Sequence, residues 1–261
     1  MIINKQKIVF FTDPHQDCWW VERILKKEKY ADYWICGGDL FDSFKDYPDV
    51  YDIRATAKYF MGLKKGLGEK LIMLVGNHDL GPYYAYYSYA SGKLPKFQPY
   101  YCSGYTSYKA QEIAKEISHE FIVTQKLSVM ANGWLISHAG VLPHLIPVAP
   151  TQKESLNKFF EECERVWANF REEYKHPFFR AGLSRGGRFG AAGLTWCDWD
   201  CDFVDGLPWP QLVGHTTQQG PPRRNKSSWC CDQLQSWYCV IEPDKLIFKN
   251  MLDNEEIIHK V

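Results

Sequence analysis

The chain has 261 residues, and its 31 lysines and arginines balance 31 aspartates and glutamates, so the formal net charge at pH 7 is zero. This balance argues against general nucleic-acid binding and against a membrane-surface protein. No apolar run reaches the 18 residues typical of a membrane span, and the length suits a single domain over residues 1–261.

The amino terminus and the cysteines predict the cellular compartment. The first residues lack the long apolar region and small-residue cleavage site of a signal peptide. The nine cysteines show no zinc-ribbon spacing, so we interpret them as free thiols, with disulfides as the alternative. We therefore expect a cytoplasmic protein.

The first third of the chain alternates short apolar runs with helical stretches. Residues 8–12, 33–36 and 71–75 are predicted strands, and residues 19–29 and 50–67 are predicted helices. This alternation is typical of parallel strands joined by helical crossovers. In such sheets, functional groups collect beyond the carboxyl ends of the strands.

Residues 82–108 break this pattern. They contain nine of the sixteen tyrosines, mixed with Gly, Pro and Ser, and lack a clean periodicity. We predict a long loop here, either a cap beside the active site or a packing loop without a role in substrate binding. As a cap, its tyrosines could stack on a nucleobase.

The second half of the chain shows hairpin signals. An Asn-Gly pair follows a predicted strand at 121–130 and precedes another at 134–137. We expect these later hairpins to form a second group of strands, separate from the parallel one. The other predicted elements are helices at 109–118 and 152–175, a strand at 211–213, and a hairpin of strands at 237–241 and 246–249.

Five polar clusters each follow an apolar run. They are Asp13-Pro14-His15, Gly38-Asp39-Leu40-Phe41-Asp42, Gly76-Asn77-His78-Asp79, Ser137-His138-Ala139-Gly140 and Gly214-His215-Thr216. Carboxylate, amide and imidazole groups hold divalent metal ions. Two such ions roughly 3.5–4 Å apart acidify a water molecule and neutralise phosphoryl oxygens. The ordered set therefore predicts a metal site that hydrolyses phosphate esters.

The clusters D-x-H, GDxxD, GNH[DE], H and GH resemble those of the calcineurin-like metallophosphoesterase superfamily, in order over residues 13–216. Within it, the chain resembles the phosphoprotein phosphatase and bis(5′-nucleosyl)-tetraphosphatase branch, since Thr217 stands where many phosphodiesterase members carry a second histidine. The resemblance implies an α/β fold, with a central β-sandwich of two mixed sheets flanked by helices.

The resemblance also implies a set of metal ligands. The first metal would be bound by Asp13, His15 and Asp39, and the second by Asp39, Asn77, His138 and His215, with Asp39 as the bridge. The cofactors would be two divalent metal ions, manganese first, with iron, zinc or nickel as alternatives.

His78 and Asp42 form a predicted acid pair. His78 directly follows Asn77 and would protonate the leaving group, while Asp42 would hydrogen-bond His78 and raise its proton affinity. The alternative is that His78 only orients the phosphate.

The chain departs from the family pattern after Asp42. Protein phosphatases continue GDxxD with Arg-Gly, and that arginine binds phosphate, whereas Ser43 follows Asp42 here. Arg185, in a glycine-rich stretch, is the predicted replacement because a guanidinium binds phosphate oxygens in bidentate fashion. Arg188 and Arg180 are the alternatives.

These features predict an enzyme that hydrolyses phosphomonoesters, similar to serine/threonine phosphatases, by in-line attack of a metal-bridging hydroxide on phosphorus. The expected partner is a phosphorylated substrate: a phosphoprotein, a nucleotide or a small phosphoester. One alternative is a hydrolase of nucleotides, dinucleoside polyphosphates or RNA ends. The other is a non-catalytic scaffold of the same fold.

Overall fold

A computed structural model describes residues 1–43, 50–90, 102–188 and 190–261. Within these ranges the chain forms twelve strands and seven α-helices. In chain order, the strands are β1 (Ile2–Ile3), β2 (Ile8–Phe11), β3 (Tyr33–Cys36), β4 (Leu71–Met73), β5 (Ser128–Ala131), β6 (Trp134–Ser137), β7 (Gln211–Val213), β8 (Arg223–Asn225), β9 (Ser228–Cys230), β10 (Trp237–Glu242), β11 (Lys245–Asn250) and β12 (Glu256–Lys260).

The helices lie mainly in the first two thirds of the chain. They are α1 (Cys18–Lys27), α2 (Val50–Leu67), α3 (Asn77–Ala90), α4 (Ser107–Glu116), α5 (His119–Val123), α6 (Gln152–Ala168) and α7 (Phe170–Glu173). None of the helices in the described ranges combines the length and apolar composition that a membrane crossing requires.

Two six-stranded mixed sheets form the centre of the fold. Their strand orders are β1-β5-β6-β7-β9-β8 and β12-β11-β10-β2-β3-β4. Ile8 and Phe10 of β2 pack between the sheets, whereas Val9 and Phe11 belong to the core shared with α1 and α2. Because β2 is buried on both faces, its sequence is continuously apolar rather than alternating. The predicted two-sheet fold is confirmed.

The parallel pairing predicted for the first strands is also confirmed. β2 pairs with β3, and β3 with β4, in parallel registers. The carboxyl ends of these three strands therefore meet at one edge of the sandwich, as do those of the parallel pair β6 and β7 in the other sheet.

The prediction that all later hairpins form the second group of strands is wrong. The β5–β6 hairpin lies in the sheet that contains β7, but β10 pairs antiparallel with β2, so the carboxyl-terminal hairpin extends the sheet that contains β2, β3 and β4. β10 is almost wholly buried, as expected for a central strand. Glu28 contributes to this junction by accepting hydrogen bonds from Tyr238 Oη at 2.9 Å and Lys249 Nζ at 2.8 Å.

The loop predicted at 82–108 is wrong over 82–90, which belong to α3, and over 107–108, which belong to α4. Tyr83 is fully buried and packs edge-on against Phe41 and Trp167, with ring centroids 6.2 and 5.9 Å apart. It therefore cannot stack on a base. Residues 91–101 lie outside the described ranges, and the cap interpretation stays a prediction for that segment.

Two further boundaries differ from the sequence prediction. The strand expected at 121–130 begins only at Ser128, because α5 occupies 119–123 and its first turn is capped by the hydroxyl of Ser118. The helix expected at 152–175 is two helices, since α6 ends at Ala168, Asn169 caps it, and α7 begins at Phe170. The edge strand β12 was not predicted.

Candidate metal centre

The six predicted metal ligands converge at the carboxyl ends of strands from both sheets. Three of them follow the parallel strands of one sheet: Asp13 after β2, Asp39 after β3 and Asn77 after β4. His138 and His215 follow β6 and β7 of the other sheet. His15 follows Asp13 in the same loop. Every one of them is buried or partly buried.

The backbone around these residues is strained. Four predicted ligands and Asp42 have positive φ angles, which are uncommon outside glycine: Asp13 at 54°, His15 at 42°, Asp39 at 55°, Asp42 at 71° and His215 at 68°. The amide of His15 donates to Asp39 O at 3.0 Å, and that of His215 to Asp13 Oδ2 at 3.0 Å. These bonds tie the loops to one another. A Cβ at Gly214 would collide with Asp13 Oδ2, which explains the glycine before His215.

The carboxylate of Asp39 lies at the centre of the cluster. Its Oδ2 atom is 3.8 Å from His15 Nε2 and 3.5 Å from His138 Nε2. His78 Nε2 is 3.9 Å from the same oxygen. One carboxylate oxygen therefore faces imidazole nitrogens from both sheets, at distances longer than a direct hydrogen bond.

A second set of donors surrounds His138. Its Nδ1 atom lies 2.9 Å from the carbonyl oxygen of Gly37, which requires the proton on Nδ1 and leaves the lone pair on Nε2. That Nε2 atom is 2.9 Å from Asn77 Oδ1 and 3.2 Å from His215 Nδ1. Electron-pair donors thus converge on one point, an arrangement that a cation stabilises.

The charge states fit divalent cations as well. Burial, with the nearby His78, lowers the pKa of His15 to about 3, and burial lowers the pKa of His138 to about 3, so both imidazoles are neutral ligands at pH 7. Burial raises the pKa values of Asp13 and Asp39, and so does a neighbouring carboxylate, Asp232 for Asp13 and Asp13 for Asp39; bound cations would offset this cost. Asp13 Oδ1 is buried without a hydrogen-bond partner.

The two residues of the predicted acid pair are in contact. His78 Nδ1 lies 2.8 Å from Asp42 Oδ2, and the His78 amide donates to Asp39 Oδ1 at 2.9 Å. The ring therefore presents Nε2 to the centre and Nδ1 to Asp42. Burial raises the pKa of Asp42, but the hydrogen bonds from His78 and Lys109 outweigh it, and the net pKa is lowered.

Lys109 of α4 is a residue that sequence reasoning missed. Its Nζ lies 2.8 Å from Asp42 Oδ1, 2.7 Å from Gly104 O and 3.3 Å from Ser43 O, and the residue is only 7% exposed. Lysine is almost never buried without a partner. The sequence did contain an indication that Lys109 is buried, because Lys109 lies on the same helical face as the buried Ile113.

Asp79 was also missed as a site residue. Its carboxylate accepts hydrogen bonds from the amides of Asp39, Leu40 and Gly76, each at 2.9 Å. The side chain is fully buried, and burial raises its pKa to about 7. Asp79 therefore connects the loop after β3 to the start of α3. Its position directly after His78 in the sequence could have indicated that it belongs to the site.

Arg185 lies beside the second set of donors. Its Nε atom is 2.8 Å from Asp198 Oδ2, and its Nη2 donates to Thr216 Oγ1 at 3.1 Å. Thr216 directly follows His215, so Arg185 is placed at the edge of the centre. Arg180 lies instead near His144, whose pKa is lowered by burial and by the Arg180 charge.

This chain is similar to known proteins in both sequence and fold. A family model described as calcineurin-like phosphoesterase matches residues 6–216. A cold-active protein-tyrosine phosphatase from a Shewanella species is 15% identical, with a TM-score of 0.60 over 98% of this chain and 81% of that one. A protein serine/threonine phosphatase from Saccharomyces cerevisiae, similar to human phosphatase PP5, is 14% identical, with a TM-score of 0.50 over 99% and 82%. No curated protein sequence matches significantly. At identities of 15% and 14%, these structural similarities show that the folds are shared and no more than that.

Proposed function

The chain belongs to the calcineurin-like phosphoesterase family and is a metal-dependent phosphoester hydrolase, and on this basis we propose that its substrates are phosphomonoesters. The family resemblance seen in the five clusters is confirmed by the match over residues 6–216. The family includes enzymes of different specificity, so the substrate class has to be argued from the centre itself.

The observation that carries the proposal is the position of Asp39 Oδ2 between imidazoles of the two sheets. In our assignment the ligands of the first ion are Asp13, His15 and Asp39, and those of the second are Asp39, Asn77, His138 and His215. Mixed oxygen and imidazole ligands suit manganese, iron, zinc or nickel, and we propose manganese first. When bound, two such ions lower the pKa of a water and neutralise phosphoryl oxygens.

The acid pair supplies the proton that the leaving group needs. His78 Nδ1 is held by Asp42, which leaves Nε2 directed to the centre. We assign to Nε2 the proton that passes to the leaving oxygen as the ester bond breaks. The amide of His78 donates to Asp39, so the same residue is fixed to the proposed bridging ligand through its backbone.

Arg185 would bind the phosphoryl group. Its Nη2 donates to Thr216 Oγ1, and its Nε forms an ion pair with Asp198, so most of the five N–H donors of the guanidinium are not used by these contacts. The remaining donors can serve phosphate oxygens beside His215. Thr217, where many diesterases of the family have a histidine, donates to Asp232 Oδ2 at 2.9 Å, which favours monoesters over diesters.

The test is a substrate panel with four metals. Protein loaded in turn with manganese, nickel, zinc and iron is assayed on p-nitrophenyl phosphate, its bis-ester, a phosphopeptide and diadenosine tetraphosphate. We expect the monoesters to be hydrolysed fastest. Faster turnover of the bis-ester would overturn the monoester proposal, and no turnover on any substrate would favour the scaffold alternative.

A variant pair adds a readout independent of activity. Asp39→Asn should lose bound metal, measured by elemental analysis of the purified protein. Asp244→Asn, at an exposed carboxylate in the β10–β11 turn, is the control and should retain it. Equal metal content in the two variants would contradict the bridging role of Asp39.

A further inference from the structure

A cleft of about 840 Å³ opens beside the metal centre. His15, one of the proposed ligands, forms part of its wall, together with residues of α1, α2 and the segment after β9. The volume falls in the range of sites for small molecules, about 300–1,000 Å³. The centre alone accounts for a phosphate group, so the cleft has room for the rest of a substrate.

The cleft begins on the side of the proposed proton donor. The rings of His15 and His78 meet edge-on with centroids 5.0 Å apart, and Ser43, which directly follows Asp42, also lines the cleft. A phosphoester whose leaving oxygen receives a proton from His78 would therefore extend its alcohol into this space. The cleft is placed to bind the leaving group.

An indole ring stands at the rim of this cleft. Trp19 is 65% exposed although it is a large aromatic residue, and Leu234, 59% exposed, lines the same cleft. The guanidinium of Arg23 lies 4.5 Å from the centroid of the Trp19 ring, and Arg23 itself donates to Met251 O at 3.1 Å. The cation–π contact holds the indole in place. A fixed, exposed indole is a platform on which a flat ring can stack.

The charge of the cleft selects against a second phosphate. Asp17, Asp52 and Asp232 line it, and no lysine or arginine does so among the residues that the structure describes. Carboxylates repel phosphate groups and repel them more strongly where low-dielectric walls focus the field. A dinucleoside polyphosphate or nucleoside diphosphate would have to place additional negative charge here.

Resting on the proposed function, we propose that this cleft is the leaving-group site and selects monoesters whose alcohol carries a flat ring and no further phosphate. Nucleoside monophosphates meet both conditions, and their ribose also suits the polar lining of the cleft, so we commit to this substrate class. The ring stacks on Trp19, the ribose occupies the polar part of the cleft, and the single phosphate lies at the metal centre.

The experiment compares three substrates on five proteins. kcat/KM is measured with manganese for adenosine 5′-monophosphate, glycerol phosphate and adenosine 5′-diphosphate, using the unmodified protein, Trp19→Ala, Trp19→Phe, Tyr30→Ala and Asp52→Asn. Tyr30 is a matched control, because it is 80% exposed and is not among the residues that line the cleft. Melting temperatures confirm that each variant is folded.

We expect Trp19→Ala to lower kcat/KM for adenosine monophosphate about tenfold, the loss of roughly one stacking contact. The value for glycerol phosphate should change less than about twofold, since no ring is present to stack. Trp19→Phe should restore most of the loss, and Tyr30→Ala should have no effect. kcat/KM should be lower for adenosine diphosphate than for adenosine monophosphate. Asp52→Asn should reduce the difference between these two values.

Two kinds of failure are distinguishable. An active protein on which Trp19→Ala has no effect, or lowers kcat/KM equally for adenosine monophosphate and glycerol phosphate, would overturn the cleft proposal alone. A preference for adenosine diphosphate would also overturn it. A protein inactive on every substrate and with every metal would overturn the proposed function, and the cleft proposal with it.

Discussion

The ammonium nitrogen of Lys109 lies 2.8 Å from Oδ1 of Asp42, while Oδ2 of that carboxylate lies 2.8 Å from His78 Nδ1. The carboxylate is thus held from both sides, by a buried cation and by the proposed proton donor. Lys109 fixes the position of Asp42, and Asp42 in turn fixes the ring of His78. The proposed acid pair would therefore include Lys109 as a third, positioning residue.

Replacement of Lys109 by methionine should therefore impair the acid step. We expect hydrolysis of phenyl phosphate, which has a poor leaving group, to fall by about 10- to 100-fold, a part of what general acid catalysis contributes. Hydrolysis of p-nitrophenyl phosphate should fall much less. Lys109→Arg should recover part of the loss, and Lys115→Met, at an exposed lysine of the same helix, is the control. Equal losses on both substrates would point to a purely structural role.

Replacement of His78 by asparagine tests the proton donor directly. The ring that faces Asp39 Oδ2 is lost, so the rate with a poor leaving group should fall by about 10²–10⁴. An activated leaving group needs no proton, and its rate should fall far less. Steady-state rates on a series of aryl phosphates give the comparison, with His144→Asn as a control outside the centre. Parallel losses across the series would leave His78 only an orienting role.

Replacement of Arg185 by alanine should weaken phosphate binding. Hydrogen bonds between charged groups contribute about 1.5–3 kcal/mol, so kcat/KM should fall by about 10- to 100-fold. The exposed Arg188, in the same glycine-rich stretch, provides the matched variant Arg188→Ala. If Arg185→Ala left both kcat and KM unchanged, or if Arg188→Ala caused the larger loss, the assignment would be wrong.

Removal of metal should destabilise the fold. Asp13 and Asp39 are buried together, and burial with repulsion from a neighbouring carboxylate raises the pKa of each, so a cation that compensates them favours the folded state. A metal at 100 times its Kd stabilises by about 2.7 kcal/mol, which raises Tm by several degrees in a protein of this size. Thermal melts with a chelator and with added manganese measure the shift. Asp39→Asn should show little of it, and an unchanged Tm in the unmodified protein would contradict the prediction.

Glu28 should make stability depend on pH away from the centre. Burial raises its pKa, but hydrogen bonds from Lys249, Lys7 and Tyr238 outweigh this, and the net pKa is lowered from 4.5. A carboxyl group with a lowered pKa in the folded state adds stability above its unfolded pKa, and this stability is lost as pH falls below about 4.5.

The corresponding variant is Glu28→Gln. It should cost about 2 kcal/mol at pH 7, because charge-assisted hydrogen bonds are lost. The cost should be smaller at pH 3.5, because the unfolded chain then binds a proton at Glu28 more readily than the folded chain does. Urea unfolding at the two pH values measures both. Glu22→Gln, at an exposed glutamate of α1, should have almost no effect at either pH. A cost that grows as pH falls would contradict the sign of the shift.

Features set by local sequence were predictable, whereas those set by distant pairing were not. β2 and β3 could be recognised because strands buried on both faces read as continuous apolar runs. The partner of the carboxyl-terminal hairpin could not, because pairing of β10 with β2 joins residues more than 200 positions apart. The tyrosines made α3 hard to predict from periodicity, because a tyrosine ring packs in the core and also tolerates exposure.

The same distinction between local sequence and distant packing applies to the candidate metal centre. The convergence of Asp13, Asp39 and Asn77 follows from parallel neighbouring strands, which the alternation of elements predicted. The contact of Lys109 with Asp42 depends on how α4 packs, and no local pattern specifies the acceptor of a buried lysine. The position of Arg185 likewise depends on Asp198, thirteen residues later in the chain.

The proposed ligands come from both sheets, three strand ends on one side and two on the other. Bound ions would therefore cross-link the two sheets of the sandwich. A chain in which only one sheet has formed would possess only part of the ligand set and would bind metal weakly. Tight metal uptake during refolding would then report the docking of the two sheets rather than the formation of either one.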